Sequence, residues 1–120
     1  MLLIDDEEDI RKVARLSLAR VGKMEVADAA SGLEGLRKAE EDPPDVVLLD
    51  VMMPGLDGPS TLAALRSSPK TAGIPVVFLT AKAMPAEIER LRAMGVRGVL
   101  LKPFDPMTLA AQLRAVVDGR

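Results

Sequence analysis

The chain has 120 residues and a net charge of −2, and hydrophobic residues make up 48% of it, enough to fill one core. It holds no cysteine and no histidine, which excludes disulfides and thiolate metal sites and removes the commonest general base and zinc ligand. Its lysines and arginines are scattered, its aromatics are only Phe78 and Phe104, and no apolar run approaches membrane-spanning length; neither nucleic-acid binding nor membrane contact is expected, and a cytoplasmic protein is.

In chain order, Met1 to Asp5 is a short apolar segment cut off by acids and reads as a first strand. Asp5-Asp6-Glu7-Glu8-Asp9 leads into Ile10, Val13, Ala14, Ser17, Leu18 and Val21 at helical spacing, and Gly22 is expected to stop that helix. Met24 to Ala29, with Val26 its best residue, reads as a weaker second strand. Ser31 and Glu34 are spaced as a capping box for a second helix with Leu33, Leu36 and Ala39 as its stripe, ended by Pro43-Pro44.

Val46 to Asp50 is an unbroken apolar run closing on a carboxylate, the pattern of a strand buried on both faces. Turn residues Pro54-Gly55 and Asp57-Gly58-Pro59 precede a third helix carrying Leu62, Ala63 and Leu65, which dies at Ser67-Ser68-Pro69. Pro75 to Thr80 is a fourth strand, starting on a proline where one is tolerated. Pro85 opens a fourth helix with Ile88, Leu91 and Met94 on one face, and Gly95 ends it. Gly98 to Leu101 is the last strand; Asp105 is read as the N-cap and Pro106 as the first residue of a fifth helix bearing Leu109, Leu113, Val116 and Val117. Five strand–helix pairs predict the α/β class, a doubly wound five-stranded parallel sheet with right-handed crossovers.

Four strand ends carry polar residues: Asp5-Asp6 after the first, Asp50 after the third, Thr80 after the fourth and Lys102 after the fifth. In a parallel sheet these ends share one edge, where open α/β sheets place their ligands. Two carboxylates about 4 Å apart repel by about 4 kcal/mol at an effective dielectric near 20, so they share a proton or hold a cation. Oxygen donors alone favour Mg2+ or a similar hard ion, and such a pocket with a lysine and a threonine suits a phosphoryl group. Without histidine or cysteine, the available nucleophile is a carboxylate, and Asp50 is central.

Asp5-Asp6, Asp50 with Met53-Pro54-Gly55 and Asp57-Gly58, Thr80-Ala81 and Lys102-Pro103-Phe104 occur in order, and with them essentially the whole chain resembles the receiver domain of two-component response regulators. The resemblance implies a flavodoxin-like (βα)5 fold with strand order 2-1-3-4-5 and a receiver domain over residues 1–120. It implies that Asp50 accepts a phosphoryl group from a phosphohistidine of a sensor histidine kinase or phosphotransfer protein. Asp5, Asp6, Asp50 and the Met52 backbone carbonyl would hold Mg2+; Thr80 would hydrogen-bond the phosphoryl oxygens; Lys102 would pair with Asp50 and then with the phosphoryl group. A cis Lys102-Pro103 bond is also implied, as is a route to the phosphoryl group past the small Ala81, with Met52 and Lys82 flanking the pocket and tuning the phosphoryl lifetime.

The implied signal emerges on the face of the fourth helix, fifth strand and fifth helix, to be read by a downstream protein target or output domain, or by a second copy in a homodimer. The protein is then a switch rather than an enzyme, catalysing only its own phosphoryl transfer and autodephosphorylation. Receivers usually carry Tyr or Phe three residues before the lysine; here that residue is Val99, which has no ring to swing inward. A docking receiver with weak or absent switching is therefore an alternative. A less favoured one is an aspartyl-phosphate phosphohydrolase, which would need a general acid where Met52 stands and a cap domain. A flavodoxin-like nucleotide binder fits poorly, since the loop after the first strand is acidic rather than rich in Gly, Ser or Thr. The end of the chain at Arg120, just after the fifth helix, fits either a single-domain regulator or a piece of a larger protein.

Overall fold

Strand residues that alternate between two apolar layers set the architecture. Leu2, Ile4, Val47, Leu49, Val76 and Phe78 face one core, and Leu3, Leu48, Val77, Leu79 and Leu100 face another. Such strands cannot be satisfied by one helical layer, so helices must cover both sides.

The structure, a computed structural model, describes residues 1–119. The elements run β1 (Leu2–Ile4), α1 (Glu8–Leu16), β2 (Ala27–Ala29), α2 (Gly32–Glu41), β3 (Val47–Asp50), α3 (Gly58–Ser67), β4 (Val76–Thr80), α4 (Pro85–Arg92), β5 (Gly98–Leu101) and α5 (Leu109–Asp118). The strands are parallel in the order β2-β1-β3-β4-β5, as expected. Ala39 of α2, Leu62 and Leu65 of α3 and Leu91 of α4 close one core; Ala14 of α1 and Leu109, Ala110 and Leu113 of α5 close the other. No described helix is long and apolar enough to cross a membrane.

Several local readings change. The stripe of α1 is narrower than its spacing suggested: Ala14, Ser17 and Leu18 are buried, while Val13 and Val21 are 44% and 43% exposed. Beyond Leu16 the helix widens into a π turn over Ser17–Val21, where the Gly22 N–H donates to the Ser17 carbonyl, and the Ser17 hydroxyl donates to the Pro106 carbonyl. Gly22 has an ordinary helical φ, and the left-handed residue is Lys23. Gly22 is needed for space instead: a Cβ there would lie 2.7 Å from the Ala110 Cβ of α5.

On α2, Leu33 is 71% exposed, and the inward positions are Gly32, Gly35 and Ala39. Gly35 lets the helix settle directly on Ile4. Only half of the capping box forms: Ser31 accepts from the Glu34 N–H at 3.1 Å, while the Glu34 carboxylate pairs with Lys38 at 3.3 Å. Ala63 is exposed and Thr61 takes the inward place on α3. β2 begins at Ala27, so Met24 and Val26 pack beside the core without joining the sheet. Asp105 does cap, but it caps a separate turn through the Met107 N–H at 2.9 Å, and α5 starts only at Leu109.

Gly58 is the tightest junction near the carboxyl edge. It opens α3, with Asp57 capping the helix by accepting from the Ser60 N–H at 2.8 Å. A Cβ on Gly58 would lie 2.7 Å from both the Asp50 carbonyl oxygen and the Val51 Cα, atoms of backbone that have no room to give. Gly58→Ala should therefore lower stability by about 1–3 kcal/mol. Gly73→Ala, where nothing lies within 4 Å, should stay within about 0.5 kcal/mol of the unmodified protein. Urea unfolding of the two variants checks this, and coincident midpoints would contradict it.

Candidate functional site

The sheet carries four polar residues to one edge. Asp5 follows β1, Asp50 closes β3, Thr80 closes β4 and Lys102 follows β5. Backbone ladders hold them there: the Asp5 N–H donates to the Ala29 carbonyl at 3.1 Å, the Val51 N–H to Leu79 at 3.1 Å and the Lys102 N–H to Thr80 at 2.8 Å. The side chains therefore start from fixed points, whatever the loops beyond them do.

Asp5, Asp50 and Thr80 are buried and Asp6 is half-buried. One oxygen from each of Asp5, Asp6 and Asp50 lies within 4.8 Å of the others. Lys102 Nζ reaches into this group, 2.9 Å from Asp5 Oδ2, 3.3 Å from Asp50 Oδ1 and 3.5 Å from Glu7 Oε1. The ammonium is thus closer to Asp5 than to Asp50. Glu7 is a contact the sequence did not single out. Its N–H donates to Asp5 Oδ1 at 2.9 Å, and that tight turn brings its carboxylate round to Lys102.

Burial pushes the Asp50 carboxyl up from 3.8 to about 6, and the Asp5 charge adds to the rise; the Lys102 ammonium and the Met52 backbone N–H pull it down without cancelling it. On Lys102, burial pulls the pKa down, but the contact and charge of Asp5, then of Asp50, outweigh it and hold the ammonium above its ordinary value. Among the described residues, Asp50 Oδ2 is buried with no hydrogen-bond partner, and the only partner of the buried Asp5 Oδ2 is the Lys102 ammonium at 2.9 Å. Buried polar atoms rarely go unpaired. These two oxygens beside a third carboxylate form a hard donor set that suits a divalent cation.

Thr80 Oγ1 accepts from the Lys82 N–H at 3.1 Å, which leaves the hydroxyl proton available to donate. Met52 acts on Asp50 through its backbone N–H, and its side chain is 60% exposed. Residues 81–86 are all exposed, Lys82 among them. The Lys102-Pro103 bond is cis. Val99 is half-buried against the core on the α4 side.

The sequence model described as the response regulator receiver domain matches residues 1–114. The chain belongs to the response regulator receiver family. This receiver is 38% identical over 117 residues to the transcriptional regulatory protein AfsQ1 of Streptomyces coelicolor, covering 98% of this chain and 50% of that protein. It is 35% identical over 119 residues to the alkaline phosphatase synthesis transcriptional regulatory protein PhoP of Bacillus subtilis, covering 98% of this chain and 48% of that one. The chain thus spans about half the length of the curated relatives it matches. Among solved structures, it superposes on the chemotaxis protein CheY4 of Vibrio cholerae with a TM-score of 0.87 at 36% identity, covering 96% of this chain and 95% of that one. The N-terminal domain of a response regulator receiver protein from Methanoculleus marisnigri gives a TM-score of 0.78 at 35% identity, covering 99% and 96%. Receivers are signalling proteins rather than metabolic enzymes, which agrees with the expectation from the sequence.

The raised Asp50 pKa has a consequence for stability. The folded receiver binds the Asp50 proton more tightly than the unfolded chain does, so it loses stability as pH rises from about 3.8 through about 6. Asp50→Asn removes that loss. In urea unfolding without divalent cations, the variant's advantage over the wild type should be larger near pH 7.5 than near pH 4 by about 1–3 kcal/mol. An advantage that is the same at both pH values would count against this account of Asp50.

Proposed function

We propose that this receiver is a phosphorylation-controlled switch with Asp50 as its phosphoacceptor. The observation that carries the reading is one buried carboxylate, Asp50, with an unpaired oxygen, held between a lysine ammonium and two further carboxylates at the carboxyl edge of the sheet. An Asp50 oxygen attacks the phosphorus of a phosphohistidine on a sensor histidine kinase or phosphotransfer protein. The P–N bond breaks, its electron pair returns to the imidazole, and that ring takes up a proton. Lys102 leaves its carboxylate partners to meet the phosphoryl oxygens, and the Thr80 hydroxyl donates to them. Asp5, Asp6, Asp50 and the Met52 carbonyl would hold Mg2+, which when bound supplies positive charge to the phosphoryl oxygens. Water later cleaves the acyl phosphate, with Met52 and Lys82 controlling its access.

Phosphorylation adds roughly one further negative charge to the pocket, together with strong acceptor oxygens. Thr80 and Lys102 respond, and the loop that follows Thr80 moves with them. With Val99 in place of a ring, this movement is a backbone displacement passed to the α4–β5–α5 face. A downstream protein, an output domain or a second copy reads it in the cytoplasm. No observation favours a phosphohydrolase.

Two measurements test the reading. Incubation with acetyl phosphate and Mg2+, followed by intact mass, should show a gain of one phosphoryl group; Asp50→Asn or a chelator should abolish it. Uptake that persists in Asp50→Asn would refute the assignment of the acceptor, and steady turnover of many phosphoesters would favour a hydrolase. Titration with a phosphate analogue should then shift amide resonances along residues 84 to 115 as well as in the pocket. Shifts confined to the pocket would leave a docking receiver without a switch.

A further inference from the structure

Asp5 is the most completely fixed residue of the pocket. Its N–H donates to the Ala29 carbonyl at 3.1 Å, its carbonyl accepts from Arg11 Nη1 at 2.9 Å, and its Oδ1 accepts from the Glu7 N–H at 2.9 Å. With those three atoms held, Oδ2 is the one left to face Lys102 and the other carboxylates. Arg11 is the only side chain among the three anchors; the other two are backbone groups that the strand and the turn supply in any case.

Arg11 is itself held at two points. It is mostly buried, with its Nε 3.1 Å from Asp28 Oδ2 while Nη1 reaches the Asp5 carbonyl. One planar guanidinium therefore clamps the turn after β1 to the neighbouring strand β2. Arg15 offers a natural comparison: it pairs with the same Asp28 at 3.4 Å, is more exposed, and makes no contact with Asp5. The two arginines share an anchor, and Arg11 alone is bonded to the acidic turn. A lysine can bring a charge to this place, but it cannot hold two partners at the fixed angle of the fork.

We propose that Arg11 is a positioning residue for the divalent-cation site, setting its affinity through the Asp5 main chain without touching the ion. The inference rests on the reading of Asp5, Asp6 and Asp50 as cation ligands. Partners that orient ligands from behind typically account for 10–100-fold in metal affinity.

The test titrates Mg2+ alone into the unphosphorylated protein, following amide resonances or heat, for the wild type, Arg11→Gln, Arg11→Lys and Arg15→Gln, with urea midpoints recorded in parallel. Arg11→Gln should weaken Mg2+ binding by about 10–100-fold, Arg11→Lys by at least about 5-fold, and Arg15→Gln by less than about 3-fold. Matching losses in Arg11→Gln and Arg15→Gln would make the effect a general result of disturbing Asp28 and would overturn the proposal. So would full affinity in Arg11→Lys, which alone decides the matter if Arg11→Gln does not fold. A wild type that binds Mg2+ and takes up a phosphoryl group, with Arg11 variants indistinguishable from it, defeats this inference and leaves the proposed function standing. A wild type that binds no Mg2+ defeats both.

Discussion

Like charges at short range govern this molecule. A parallel sheet with two apolar faces leaves only its edges for polar chemistry, and the carboxyl edge gathers Asp5, Asp6 and Asp50 within 4.8 Å. Most of that charge is buried, so water does little to screen it. The protein answers with Lys102, whose ammonium lies 2.9 Å from Asp5 and 3.3 Å from Asp50. Burial lifts the Asp50 pKa to about 6, the Asp5 charge adds to the rise, and the Lys102 ammonium does not cancel the two. The remaining strain is the chemical opportunity. A site with surplus negative charge and an unpaired buried oxygen on Asp50 favours whatever brings positive charge to it.

The scaffold is rigid where this site needs it to be. Leu48, Leu49, Phe78 and Leu79, in the strands that end on Asp50 and Thr80, are fully buried. Burial of each such side chain is worth about 1.5–3 kcal/mol, so the two central strands together outweigh the cost of one perturbed carboxylate. That surplus lets the fold keep an electrostatically unfavourable edge intact. The helices contribute through close approach: Gly35 seats α2 on Ile4, and Gly22 lets the end of α1 meet α5.

Much of this was legible in the sequence because burial on both faces leaves a plain mark. Val46–Asp50 and Pro75–Thr80 are continuous apolar runs, and their polar last residues stood out against them. The order of the strands came from the family resemblance, since alternation alone does not fix it. Helix faces were harder to read. The spacing places Leu33 inward with Leu36 and Ala39; Ala39 does face the core, but Gly35 takes the place beside it and Leu33 is exposed, since α2 lies too close to Ile4 of β1 for a large side chain there. Asp105 looked like an ordinary N-cap and instead holds a separate turn before α5. At the site, the residue types and the Lys102–Asp50 pair were readable, whereas the closer contact of Lys102 with Asp5 and its contact with Glu7 were not. Five consecutive acids, from Asp5 to Asp9, hide which one will bend back to Lys102. Arg11 looks like any solvated helical charge until α1 is docked and its guanidinium meets the Asp5 carbonyl.

The crowding at Gly58 makes the pocket mechanically lopsided. On one wall the first residue of α3 rests against the main chain of Asp50 and Val51, and the Gly58 N–H donates to the Val51 carbonyl at 2.9 Å, so strand end and helix start behave as one block. Residues 81–86, which follow Thr80, are exposed throughout. A push originating at Asp50 meets close-packed main chain at Gly58, whereas the segment after Thr80 has solvent beside it. A missing methyl group is what lets the start of α3 sit so close to the strand that carries the acceptor carboxylate.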